Sequence, residues 1–190
     1  MKNTILLAAC AALLATSPAL AHGPHEHGAA RLNVAVDGTT VSIDLESPLA
    51  NALPFEHTPS TPAQREAVQN MAATLHRADK IFILSVAAQC RLKKVTLQSA
   101  ALPADLLSVG TSQQPAKLEY ADHAGHAAED AHADLDASFI FECAKPDALN
   151  GMDVALFSSW PALHELRVQI LSPTGQHAAE LNAKAHTLKW

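Results

Sequence analysis

The fold is decided by the run Leu32-Asn33-Val34-Ala35-Val36-Asp37-Gly38-Thr39-Thr40-Val41-Ser42-Ile43-Asp44-Leu45-Glu46. Leu32, Val34 and Val36 alternate with Asn33 and Ala35, while Val41, Ile43 and Leu45 alternate with Ser42, Asp44 and Glu46. A period of two sends alternate side chains to opposite faces of a strand. Asp37-Gly38 between the runs is hairpin turn chemistry. The spacing predicts an antiparallel β-hairpin with its apolar face turned inward.

Outward from the hairpin, Ser47 to Pro59 reads as a loop punctuated by Pro48, Pro54 and Pro59, with Phe55 expected to plug the core. Thr61-Pro62-Ala63-Gln64 has the form of a helix start: an N-cap, proline at the first helical position and a capping-box glutamine. Ala67, Val68, Met71, Leu75 and Ala78 follow at helical spacing, which predicts one amphipathic helix to about Arg77. Ile81 to Val86 is a short apolar run whose type the pattern leaves open. Cys90 to Leu97, Ala137 to Cys143, Leu166 to Leu171 and Gln176 to Leu181 read as strands, and Met152 to Phe157 as strand-like. Lys145 to Asn150 reads as a helical turn ended by Gly151. Trp160 and Trp190 are expected as core anchors. The expected class is α+β, a mainly antiparallel sheet with one clear amphipathic helix and a disordered histidine- and aspartate-rich insert, in a single domain over residues 22–190.

Residues 1–21 have the layout of a secretory signal peptide: Lys2, an apolar stretch from Ile5 to Leu14, and Ala19-Leu20-Ala21 as a small-residue cleavage site. Leu7-Ala8-Ala9-Cys10 offers a lipoprotein box as the alternative. No later segment has the length of apolar sequence needed to span a bilayer, so an integral membrane protein is not expected. The formal net charge is −6, one unit more negative once Lys2 is removed. That balance argues against nucleic acid as a partner and suits the gathering of cations. Cys90 and Cys143 remain after cleavage. An even pair in an oxidising compartment reads by default as a disulfide, closing a long loop at roughly 4 kcal/mol in the chain-entropy picture. Two thiolate metal ligands are the other reading.

The chemistry lies in the histidines. Asp122 to Asp136 carries His123, His126 and His132 among Asp122, Glu129, Asp130, Asp134 and Asp136, with Leu135 its single large apolar side chain. Such a stretch cannot bury enough surface to offset the cost of ordering it. A second cluster, His22, His25 and His27, opens the chain after the cleavage site between Gly23, Pro24 and Gly28. Imidazole and carboxylate together suit zinc and its first-row neighbours. Two ligand modes follow. One is an ordered site drawing on His25, His27, Glu56 or His57, the last two brought close by the hairpin. The other is a flexible loop, with His123, His126, Asp130 and His132, that collects ions and hands them on. His22 could add its free amine as a copper(II) chelate, and copper would compete for the same donors in vitro. Otherwise Glu56 and His57 are plain loop residues, and His76, His164, His177 and His186 read as structural.

Enzyme motifs are absent. There is no phosphate-binding glycine loop, no G-x-S-x-G elbow, no H-E-x-x-H helix and no C-x-x-C pair. A non-enzymatic zinc-binding protein is the expectation, with a copper-binding carrier using His22, or an envelope interaction protein whose histidines bind no metal, as the alternatives.

Several motifs carry a family likeness. H-E-H-G-A-A-R-L-N-V-A-V-D-G (25–38), D-L-E-S-P-L-A-N (44–51), F-E-H-T-P (55–59) and P-x-L-x-E-L-x-V-Q-I-L-x-P-x-G-Q (161–176) resemble the ZrgA-type zinc-uptake proteins. The Cys90/Cys143 pair around an acidic, histidine-bearing insert is similar too. The resemblance implies a zinc-binding component of the Gram-negative periplasm that works with an inner-membrane ABC-type importer. It does not designate an ordered ligand set, and the insert here is short and histidine-poor beside the long tracts of that family.

Overall fold

The computed structural model describes residues 26–108 and 133–190. The hairpin stands as the spacing predicts. β1 (Ala29–Asp37) and β2 (Thr40–Pro48) pair antiparallel, with Asp37 opposite Thr40 and Gly38 at a φ of 56° in the turn. A positive φ is cheap for glycine and costly for a side-chain-bearing residue, which is why the turn sits there. Leu32, Val34, Val41, Ile43 and Leu45 all face the core.

Four further strands, two on each side, turn this hairpin into a six-stranded sheet. On one side β5 (Asp134–Cys143) runs antiparallel to β2, and β4 (Cys90–Gln98) antiparallel to β5. On the other, β7 (Glu165–Ser172) runs parallel to β1, and β8 (Gly175–Leu181) returns antiparallel to β7. Cys90 and Cys143 occupy directly paired positions and form the disulfide, across 53 residues of sequence. That removes the reading of two thiolate ligands.

The inner face of the large sheet is covered by α1 (Pro62–Leu75) and by a small sheet of β3 (Phe82–Leu84), β6 (Gly151–Val154) and β9 (Thr187–Lys189), ordered β3-β6-β9. The α1 capping box is present: the Gln64 N–H donates to Thr61 Oγ1 and the Thr61 N–H to Gln64 Oε1, each at 3.2 Å. Val68, Met71, Ala72 and Leu75 bury one stripe of the helix. Phe82 of the small sheet meets Phe139 of the large one, ring centroids 5.1 Å apart. Short helical turns α2 (Ala104–Leu107) and α3 (Leu156–Ser159) and four 3-10 turns complete the elements of the described residues.

Several local expectations differ. Strand structure ends at Val154, and Leu156 to Ser159 are helical, burying Leu156 and Phe157. Gly151 opens β6 instead of ending a helix: a Cβ there would stand 2.2 Å from the Leu188 carbonyl oxygen of β9, so the position must be glycine. β9 itself, three residues long, lies below what a local pattern reveals. Phe55 is half-buried and packs against the core, while its neighbour Leu53 is fully inside it. Trp160 is buried as expected, and Trp190 packs half-buried against the core.

Candidate metal site

The ordered part of the site is built where the chain enters β1. The Ala29 N–H donates to the Glu26 carbonyl at 3.0 Å, and Gly28 has a φ of 87°. These are the marks of a type II turn, with His27 and Gly28 as its central residues. Glycine is required at the second of them. The space is tight as well, because a Cβ on Gly28 would approach His164 Cδ2 to 3.0 Å.

Three sets of contacts hold this turn to the sheet. The Gly28 carbonyl accepts from the N–H groups of His164 (2.7 Å) and Glu165 (2.9 Å) at the start of β7. The Gly28 N–H donates to Asn51 Oδ1 at 2.7 Å. On the surface Glu26 pairs with Arg167 at 2.9 Å, and Arg167 also pairs with Glu165. The hydrogen bonds that Arg167 donates to Glu26, and then to Glu165, hold the guanidinium even more firmly protonated than usual.

His27 meets Glu56. Its Nε2 lies 3.3 Å from Glu56 Oε2, the imidazole more than half exposed and the carboxylate mostly covered. Glu56 is held from behind, since its Oε1 accepts the Ala50 N–H at 3.3 Å. Zinc held tetrahedrally at about 2.0–2.1 Å from nitrogen and oxygen puts two donors about 3.4 Å apart. The 3.3 Å His27–Glu56 contact, an imidazole–carboxylate pair, has a length close to one edge of such a tetrahedron. His57, beside it in sequence, is turned otherwise: Nδ1 engages the Thr58 carbonyl at 3.0 Å and the ring lies 5.2 Å from that of Phe55. A ring that donates from Nδ1 offers Nε2 to a metal.

Among the described residues no group of three or more histidine, cysteine or acidic side chains is placed to hold an ion. His27 and Glu56 are two candidate donors, fewer than a closed zinc site needs. His22, His25, His123, His126, Asp130 and His132 lie outside the described residues. Ala133, which follows His132, is described, however. The Ala133 carbonyl accepts the Leu49 N–H at 2.8 Å, one residue from the backbone group that holds Glu56. β5 starts directly after it, with Asp134 opposite Pro48 and Asp136 opposite Glu46. The Asp136 carboxyl is pushed above the usual carboxylate range, first by burial and then by Glu46 and Asp134. The approach to this end of the sheet is thus acidic.

The remaining described histidines have local partners. His76, at the C-cap of α1, bonds the Leu107 carbonyl at 2.8 Å, and His186 stands 3.8 Å from Asp153. His177 is 3.5 Å from Thr174, and His164 is exposed against Gly28. Sequence reasoning missed Asn51 and Arg167, which hold the His27 turn. An asparagine in a proline-rich loop and an arginine on an alternating strand carry no local mark of that role.

No helix among the described residues is long and apolar enough to cross a membrane. Among the curated proteins none matches the chain. The family model described as ZrgA family zinc uptake protein matches residues 24–190.

Proposed function

Since the chain belongs to the ZrgA family of zinc uptake proteins, we propose that it is a periplasmic zinc-binding protein that captures the ion for an inner-membrane ABC-type importer and catalyses no reaction. The observation that carries the binding part is the 3.3 Å pair of His27 Nε2 and Glu56 Oε2, a spacing that two donors to one tetrahedral zinc would have. Export is supported by the signal-peptide layout of residues 1–21. His22, His25 and His57 are the candidates to complete the shell around His27 and Glu56. His123, His126, Asp130 and His132 are proposed to gather ions and pass them on; Ala133, the residue after His132, is bonded to Leu49, next to the Ala50 N–H that holds Glu56. Zinc here is cargo, so binding must also be reversible. Protonation of imidazole below pH ~6.5 would release it.

Titration of residues 22–190 with zinc against a chelator at neutral pH tests the reading. Binding no tighter than about 10 µM, roughly 7 kcal/mol, would end it. Copper(II) is expected to bind the same donors more strongly in the test tube, so selection of zinc must come from geometry and supply.

A further inference from the structure

We propose that Asn51 is the positioning residue of the zinc site, acting on affinity through the His27 turn; the proposal rests on His27 being a ligand. Asn51 closes the 3-10 turn Leu49–Asn51 and is 2 % exposed. Every hydrogen-bonding group of its side chain is used. Oδ1 accepts the Gly28 N–H (2.7 Å), while Nδ2 donates to the Ala29 carbonyl (2.9 Å) and to Ser47 Oγ (3.1 Å). This pattern admits one orientation of the amide, since a flip would set its NH₂ against the Gly28 N–H.

The Gly28 N–H belongs to the peptide between His27 and Gly28, the central unit of the turn. Rotation of that unit is what separates a type II turn from a type I turn. Asn51 therefore holds the one backbone degree of freedom that the Glu26–Ala29 hydrogen bond leaves open. The same 3-10 turn also supplies the Ala50 N–H that holds Glu56. One buried element thus aligns both donors, the imidazole through Asn51 and the carboxylate through Ala50. Outer groups that orient metal ligands are worth roughly 10- to 100-fold in affinity.

Surface anchors cannot replace this contact. Glu26–Arg167 is exposed to solvent and screened, and the His164 and Glu165 bonds grip the Gly28 carbonyl, on the far side of the residue from the central peptide. With Asn51 truncated, the turn would sample other peptide orientations and hold His27 at Glu56 only part of the time.

The experiment is a zinc competition titration of residues 22–190 carrying Asn51→Ala, His27→Ala or both, with metal-free thermal melts alongside. The expected result is that Asn51→Ala weakens the tightest zinc site by roughly 10-fold or more and adds nothing in the His27→Ala background. A purely structural role would lower the melting temperature but weaken binding equally in both backgrounds, and that outcome overturns the proposal. So does wild-type affinity in folded Asn51→Ala when His27→Ala is weakened. If Asn51→Ala does not fold, Asn51→Asp decides. It keeps the acceptor for Gly28 and loses only the donors to Ala29 and Ser47, so the His27-dependent affinity should stay within about threefold of wild type, and a roughly 10-fold loss in that folded variant refutes the assignment. If His27→Ala itself binds as wild type, the reading of the site falls and takes this proposal with it.

Discussion

Glu56→Gln separates the carboxylate's part in metal binding from its part in the fold. Glutamine has the same shape, and its carbonyl can still accept the Ala50 N–H that Glu56 Oε1 accepts at 3.3 Å. The NH₂ group then replaces Oε2 opposite His27 Nε2, where it can donate to the neutral ring. Metal-free stability should change by no more than about 0.5 kcal/mol, a shift of about 2 °C in Tm. Zinc binding should suffer far more, because an amide nitrogen is no ligand and the negative charge is gone. A unit charge about 2.1 Å from a divalent cation is worth roughly 4 kcal/mol even at the dielectric of water. Desolvation of the partly covered carboxylate takes back a share of this. The expected loss lies between roughly 10-fold and several hundred-fold, 1.4 kcal/mol for each factor of ten. Chelator competition at pH 7.5 on residues 22–190, paired with metal-free melts, reads both quantities. An affinity within twofold of wild type, with the fold intact, would show that Glu56 does not touch the ion.

Other perturbations test the frame around the site. Gly28→Ala forces a side chain into a positive-φ position at roughly 1–2 kcal/mol, so metal-free Tm should fall by about 2–8 °C; no change would mean that the turn is not held against β7 in solution. Replacing Cys90 and Cys143 together by alanine opens a 53-residue loop, worth roughly 4 kcal/mol or about 8–16 °C, while zinc affinity measured well below the melt stays the same. A loss of zinc binding in that folded variant would return the cysteines to the ligand list. Asp136→Asn removes a carboxylate whose folded pKa is raised above 3.8 by burial, Glu46 and Asp134. The wild-type group is stabilising to the fold only when protonated, so at pH 7 the variant should melt higher. That gain should fade as pH falls through the carboxylate range, where wild-type Asp136 becomes neutral too; a gain that persists at low pH would point to packing instead.

Much of this protein is legible because the relevant physics is local. Alternation over Leu32–Leu45 marks the hairpin, since a strand's two faces meet different solvents. Thr61, Pro62 and Gln64 mark the start of α1, since cap chemistry is completed within four residues. The two cysteines indicate their own pairing once export is assumed. The elements that were misjudged lack such signals. β9 and the helical turn at Leu156–Ser159 are too short for periodicity to form, and Gly151 answers to a strand 37 residues away.

The sequence by itself determined that imidazoles and carboxylates are present in clusters and that a hairpin would carry one cluster toward Glu56. Only the tertiary structure decided that His27 meets Glu56, that His57 turns to Thr58, and that Asn51 grips the turn between them. The physical reason is that these contacts join the β1 entrance to the loop after β2, while the parallel pairing of β1 with β7 fixes the other side of the same turn. That pairing brings His164, Glu165 and Arg167 to the entrance of β1 across more than a hundred residues, and no local pattern records a partner chosen by the packing of the whole sheet.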